Sequence, residues 1–221
     1  MFVTFTNEKS GKTWRSDEDF GLVVSRVTIG APPIRTHYVE VPGRDGALDF
    51  SDYFGAAQYD DRKLTMETGL VIDDRYAQED KIRNALHGER LRIILSDDAA
   101  HCFTGRVSVG ELSKTAGIGK LTLTATCDPW RRKTQRTLVT ATLVEEYAAL
   151  TLTNERMPTI PTIRATVAAT ILFDNTEYAI EADREYRNTA LMLSAGNHTV
   201  SVKSANGAAG QITFDYLEGK L

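Results

Sequence analysis

Alternation between apolar and polar residues, interrupted at short intervals by turn residues, runs through most of this 221-residue chain. A period of two places neighbouring side chains on opposite faces of a β-strand. One such strand is predicted over residues 62–72, where alternate positions share a face: Leu64, Met66, Thr68, Leu70 and Ile72. Similar short patterns recur as far as residue 216, so the sequence predicts a mainly β fold.

One segment has a helical pattern instead. Ile82, Ala85 and Leu86 fall on one side of a helix, and the charged residues around them fall on the other. Asp73 or Asp74 suits the N-cap, and Gly88 suits the position just after the C-terminus. We therefore predict one amphipathic helix over residues 74–87 that packs a single stripe against a sheet.

Asp128-Pro129 marks a boundary, because proline cannot donate to a strand ladder and restricts the residue before it. We predict an N-terminal β domain with one helix over residues 1–130 and a C-terminal antiparallel β-sandwich over residues 131–221. Strands of the second domain are predicted over residues 138–144, 150–153, 162–173, 176–180, 190–193, 199–202 and 211–216. The basic cluster Arg131-Arg132-Lys133 with Arg136 is interpreted as a solvated linker.

Charge argues against a protein that grips nucleic acid. The chain has 26 Lys and Arg residues against 30 Asp and Glu residues, a formal net charge of -4. Tight binding to phosphates needs clustered cations. The first residues lack the basic and apolar regions of a secretory signal, and no apolar run is long enough to span a membrane, so we expect synthesis in the cytosol.

Catalytic and metal-binding patterns are scarce. His37, His87, His101 and His198 lie in no HExxH or similar spacing. His101 beside Cys102, with Cys127 on a neighbouring strand, leaves a metal or thiol site open against the alternative of buried strand cysteines. Gly117-Ile118-Gly119-Lys120 precedes a strand and is interpreted as a hairpin turn instead of a phosphate loop. We predict no enzyme, no cofactor and no metal.

A carbohydrate-binding adsorption module is the alternative function, since small β-sandwiches often bind sugars. Sugar binding usually uses an exposed aromatic platform, and both tryptophans, Trp14 and Trp130, fall outside the second domain. The tyrosines that remain there are Tyr147, Tyr178, Tyr186 and Tyr216. A strand tyrosine is more often half-buried structure.

Residues 22–130 carry an ordered set of motifs. The first is Pro42-Gly43-Arg44-Asp45-Gly46-Ala47-Leu48-Asp49, followed by Tyr59 and Arg62-Lys63-Leu64. Then come the predicted helix, Gly105-Arg106-Val107 and Cys127-Asp128-Pro129-Trp130. In this order and spacing the chain resembles the distal tail protein family of siphoviruses. The second half resembles it less closely, through residues 195–200 and 212–216.

The resemblance implies a tail-tube-like split-barrel N-terminal domain and a galectin-like C-terminal sandwich. It implies a homo-hexameric ring at the virion tail tip, with the N-terminal domains around a channel through which DNA passes without specific binding. Its partners would be the tail tube protein, the tail-associated hub or lysin protein and receptor-binding proteins, with no membrane contact.

We expect the family-motif residues to serve assembly: Pro42, Gly43, Arg44, Asp45, Gly46, Arg62, Arg106, Asp128, Pro129 and Trp130. In particular, a rigid glycine turn carrying Arg44 and Asp45 would place charges against a neighbouring subunit. The alternative is a turn whose residues meet local backbone needs alone.

Overall fold

The computed structural model describes residues 1–53, 55–71, 75–115 and 118–221. The chain divides into two compact units, Met1–Arg131 together with Leu221, and Arg132–Lys220.

Unit 1 is built on antiparallel strands. Its elements are β1 Val3–Thr6, β2 Thr13–Arg15, β3 Val23–Ile29, β4 Ile34–Arg35, β5 Tyr38–Val39, β6 Leu48–Asp49, β7 Gln58–Tyr59, β8 Arg62–Val71, α1 Arg75–Leu86, β9 Arg90–Leu95, β10 His101–Val109, β11 Ser113–Thr115 and β12 Ile118–Cys127. Neighbours in the main sheet follow the order β2-β1-β9-β10-β12-β8-β3, and β11 pairs with β12. The predicted mainly β fold is confirmed.

The core of unit 1 follows the predicted alternation. Leu64 and Met66 of β8 are fully buried, and they pack with Leu123 of β12 and Ile93 of β9. The first segment also enters this core through Val3 and Phe5 of β1, and the sequence offered no motif for that segment.

The helix is where the sequence predicts it, and Ile82 and Leu86 face the core. Gly88, with a φ of +79°, follows its last turn in the left-handed conformation that glycine adopts without a steric cost. The predicted caps Asp73 and Asp74, and Ile72 at the end of the predicted strand, lie outside the described residues.

Unit 2 is an antiparallel sandwich. After β13 Arg131–Lys133, which crosses the boundary, its strands are β14 Thr137–Leu143, β15 Ala148–Asn154, β16 Thr162–Ala165, β17 Ala169–Phe173, β18 Thr176–Ile180, β19 Glu185–Tyr186, β20 Gly196–Ser204, β21 Gly210–Tyr216 and β22 Gly219–Lys220. One sheet has the order β14-β21-β16-β19 and a second has the order β15-β20-β17-β18. Their inner faces share a core that includes Ile163, Ile171, Val202 and Phe214.

Two strand predictions for unit 2 were wrong. The strand predicted over residues 162–173 is β16 and β17, which belong to different sheets, because the chain crosses the sandwich at residues 166–168. Residues 190–193 are not a strand either. Thr189–Leu191 forms a 3₁₀ turn that begins where Asn188 accepts a hydrogen bond from the Ala190 amide.

The basic cluster is also not a solvated linker. Arg131–Lys133 forms β13, in which all three residues are half-buried. Lys133 is paired within unit 2 with the carboxylate of Glu218, which is itself buried. A buried carboxylate needs a partner of opposite charge, which explains a cation at this position.

Candidate assembly surface

Residues 30–61, which we call the arm, form a long hairpin that continues the β3–β8 pair beyond the main sheet. The Gly30 amide donates to Lys63 O and the Asp60 amide donates to Pro33 O, each at 2.8 Å. Further along, β4 pairs with β7 and β5 pairs with β6. Backbone pairing therefore carries both strands of the hairpin outward as far as Val39 and Leu48.

The Pro42-Gly43-Arg44-Asp45-Gly46 motif forms the loop between β5 and β6. The Arg44 amide donates to Val41 O at 3.2 Å, which closes a turn with Pro42 and Gly43 at its centre. Gly43 has a φ of +79° and Gly46 one of +76°. Proline followed by a glycine at positive φ is the sequence of a type II turn. Both motif glycines are thus explained by backbone geometry.

Arg44 and Asp45 have no such local explanation. Both side chains are exposed. Among the described residues, neither makes a side-chain hydrogen bond or an ion pair. The loop therefore presents an unpaired cation and an unpaired anion, next to each other, at the far end of the arm.

The arm also exposes an unusual amount of apolar surface. Tyr53 is 73% exposed and Tyr38 58%. Four further large apolar side chains of the arm are exposed: Ile34, Val39, Val41 and Phe50. Phe50 and Tyr53 lie 6.1 Å apart and help to line an open groove of about 760 Å³ with Val39 and His37. The exposed apolar surface around Val39, Phe50 and Tyr53 is contiguous, and surface of this kind marks an interaction site.

The arm is strongly acidic. It contains two arginines, Arg35 and Arg44, against six carboxylates, which gives it a formal charge of -4. Arg35 is paired with Asp60. The side chain and amide of Ser51 donate to Asp49 and hold the pKa of its carboxyl below the usual value.

The root of the arm is held by aromatic contacts. The rings of Tyr59 and Trp130 meet edge to face with centroids 5.6 Å apart, and Pro129 beside them is half-buried. Arg62 is only 2% exposed, with its guanidinium 5.8 Å from the centroid of Phe103. Burial, and then the charge of Arg131, lower the pKa of Arg62. Its Nε lacks a hydrogen-bond partner among the described residues.

Arg106 and Asp128 have structural partners. Arg106 donates to Gly88 O, which lies directly after the helix, and so ties the end of α1 to β10. Asp128 accepts two hydrogen bonds from Arg90 Nη2, at 2.7 and 2.9 Å. The structure therefore separates the predicted residues into a loop at the far end of the arm and a group around the sheet. It does not bring the ten together into one site.

The open thiol and metal alternative finds no support. Cys102 and Cys127 are both buried, and burial raises the pKa of the Cys127 thiol to about 12. His101 Nδ1 lies 2.9 Å from an Asp98 carboxylate oxygen. No cluster of His, Cys, Asp and Glu within residues 1–53, 55–71, 75–115 and 118–221 could hold a metal ion. No helix of this described part is long and apolar enough to cross a membrane.

The tyrosines of unit 2 do not form an open sugar platform. Tyr216 is 1% exposed and donates to Thr153 O. Tyr178 and Tyr186 are partly buried against the core. Tyr147 is more exposed, but its hydroxyl donates to Glu177 and the Lys203 ammonium lies 4.4 Å from its ring.

Sequence reasoning missed the apolar residues of the arm. The sequence of residues 34–41 predicts an ordinary strand, with an alternation that is imperfect because apolar Val39 follows Tyr38 directly. Adjacent exposed apolar residues, set within a segment that holds six of the 30 carboxylates, were the available signal.

Comparison with solved structures shows a likeness of fold over the whole chain. The crystal structure of the Dit protein (gp 19.1) of phage SPP1 matches with a TM-score of 0.66 and 17% sequence identity, over 100% of both chains. That protein is described as a paradigm of the hub adsorption apparatus in phages that infect Gram-positive bacteria. No protein-family model matches the sequence, and no curated protein shows significant similarity to it. The predicted resemblance to distal tail proteins is confirmed at the level of the fold.

Proposed function

We propose that this chain is a structural distal tail protein of a long-tailed phage or prophage, a hub that forms a hexameric ring between the tail tube and the tail tip. The observation that carries the proposal is the likeness of fold to the Dit protein over the whole of both chains. A likeness confined to one unit would fit any protein with a similar β domain.

In this proposal residues 1–130 form the ring and residues 131–221 form an outward galectin-like domain. The arm supports the first assignment, because it exposes large apolar side chains and the charged side chains of Arg44 and Asp45. The tail tube protein, the tail-associated hub or lysin protein and receptor-binding proteins are the proposed partners, and DNA passes through the ring without specific binding. An acidic protein fits that passage, since phosphates bind to cations.

The proposed role is structural and not catalytic. The thiol with the raised pKa is buried and neutral at physiological pH. The family-motif residues with defined contacts support the arm root, the end of the helix and a strand end.

Light scattering and negative-stain imaging of the purified chain test the proposal. We expect discrete six-fold rings for the wild type and a shift toward smaller species for Arg44→Ala/Asp45→Ala, because these exposed side chains make no side-chain hydrogen bond or ion pair among the described residues of a single copy. Arg187→Ala/Glu146→Ala, which changes an exposed cation and an exposed anion of unit 2, is the matched control.

Other results would favour other functions. Long tubes in place of discrete rings would indicate the tail tube protein. A monomer that binds host wall polysaccharide would indicate the carbohydrate-binding adsorption module. Rings that persist unchanged in the arm variant would leave the hub function intact and remove Arg44 and Asp45 from assembly.

A further inference from the structure

The arm cannot cover its own apolar side chains. At every point along the arm only two strands are paired, first β4 with β7 and then β5 with β6. A two-stranded hairpin without a packed face is at most marginally stable in water. The exposed side chains of Tyr38, Phe50 and Tyr53 therefore favour a state in which another surface lies against the arm.

Charge narrows the choice of that surface. The arm has a formal charge of -4, so two arms placed side by side would repel each other. A symmetric contact between the arms of two copies is therefore unfavourable. The partner surface should be cationic, and it should include small side chains against which aromatic rings can lie.

The outer face of the main sheet carries three cations and several small side chains, together with the carboxylates of Asp61 and Asp128. We call Lys63, Arg90 and Arg106 the basic face. Lys63 is directly opposite Thr126, Thr126 is opposite Arg106, and Arg106 is opposite Arg90, so these residues form a row across β8, β12, β10 and β9. Adjacent strands are about 4.8 Å apart, which makes the row continuous.

Cations of this row lie close together. Arg106 and Arg90 are cross-strand neighbours of like charge, an arrangement that costs free energy. Arg90 is paired with Asp128. Lys63 and Arg106 have no carboxylate partner among the residues that the structure describes. Because Asp128 already compensates Arg90 and raises its pKa, Lys63 and Arg106 are the cations of the row that an incoming carboxylate would pair with.

The surface beside the row is concave and lined by small side chains. A depression of about 450 Å³ is bordered by Arg90 and Arg106, by the small residues Ser108 and Thr126, and by Gly88. Asp61 also contributes to its edge, so the depression is cationic only in part.

We propose that the arm of one copy docks on the basic face of a second copy. The contact rests on the proposed function, since it specifies how copies of a ring would join. It is heterologous, because it joins two different surfaces, and heterologous contacts generate rings when the rotation between copies closes. At about 3.3 Å per residue, the segment from Gly30 to Gly43 reaches at most about 40 Å, far enough to cross a neighbouring sheet.

Cross-linking between single-cysteine variants tests the contact. Asp45→Cys and Lys63→Cys are purified separately, mixed and treated with a flexible bis-maleimide. We expect a cross-linked dimer in the mixture and at least tenfold less in either variant alone. The native thiols are both buried and should contribute little. Asp45→Cys mixed with Arg187→Cys, a position on unit 2, is the matched control.

A charge exchange at the same two positions gives a second measurement, which follows self-association instead of cross-linking. Lys63→Glu should weaken self-association at least tenfold, and Asp45→Lys should do the same. The two single variants mixed together should recover much of it, because the introduced lysine of the one then meets the introduced glutamate of the other.

The outcomes separate this contact from the proposed function. Rings without the specific cross-link would overturn the docking and leave the hub function standing. Cross-linked pairs that never close into rings would support the docking and count against the hexamer. Absence of both association and the cross-link at high protein concentration would overturn the docking.

Discussion

Gly105 shows how tightly neighbouring strands of the main sheet approach each other. An added Cβ at this position would lie 2.4 Å from Thr126 O and 2.6 Å from Cys127 Sγ. The glycine of the Gly-Arg-Val motif is therefore required by close packing of β10 on β12.

We expect Gly105→Ala to lower the free energy of unfolding by more than about 2 kcal/mol, because backbone and a buried sulfur would have to move. Chemical denaturation measures the change. Gly69→Ala in β8 is the control, since the nearest atom to its added Cβ is 3.8 Å away, and it should change stability far less. Equal losses in both variants would show that the close approach is not the cause.

Cys127 gives a prediction about pH. Burial, and then Asp128, raise the pKa of its thiol from the ordinary 9.0 to about 12 in the folded protein. A group whose pKa is raised on folding contributes stability that is complete below its unfolded pKa and is lost as pH rises through its folded pKa. The loss should therefore fall between about pH 9 and pH 12.

The expected loss across this range is on the order of 4 kcal/mol, from three pKa units at about 1.36 kcal/mol each. Urea unfolding at several pH values measures it. The Cys127→Ala variant should be less stable at neutral pH but should show a shallower decline above pH 9. Parallel declines in the two proteins would mean that other groups cause the alkaline transition.

Among the elements, the arm should be the least stable part of unit 1. Its short ladders have exposed side chains on both faces, whereas β10 and β12 lie inside the main sheet. Segments with few buried contacts open locally at a small fraction of the global free energy.

Hydrogen exchange should therefore be fast at the amides of Tyr38, Val39 and Leu48 in isolated copies and much slower in assembled ones. Amides of β12 serve as the internal control, because they should exchange slowly in both states. Arm amides as protected as those of β12 in single copies would contradict the idea that the arm needs a second surface.

Element boundaries were predictable where the boundary residue is of a type that restricts or specially permits one backbone conformation, as glycine and proline do. Gly88 ends the helix through its positive φ, and β12 ends at Cys127 immediately before Asp128-Pro129. The crossing at residues 166–168 was not predictable, because Thr166 and Val167 favour a strand and no glycine or proline marks the bend between the sheets.

At the scale of the whole molecule, the alternating pattern was enough to predict a mainly β chain with a C-terminal sandwich. It could not predict which apolar residues remain exposed, because Val39 in the arm and Val24 in the sheet have the same chemistry and differ only in what packs on them. Nor could it predict that Arg62 is buried, since a cation that leads a strand is usually solvated.

The placement of charge has a further consequence for single copies in solution. The formal charge of the arm, -4, equals that of the entire chain, so the remaining residues are formally balanced. Electrostatic repulsion between free copies would then come mainly from the arms, which also carry the exposed apolar side chains. We therefore expect the acidic side chains to prevent association between the arms of free copies at low ionic strength. An arm would then associate only with a surface of opposite charge.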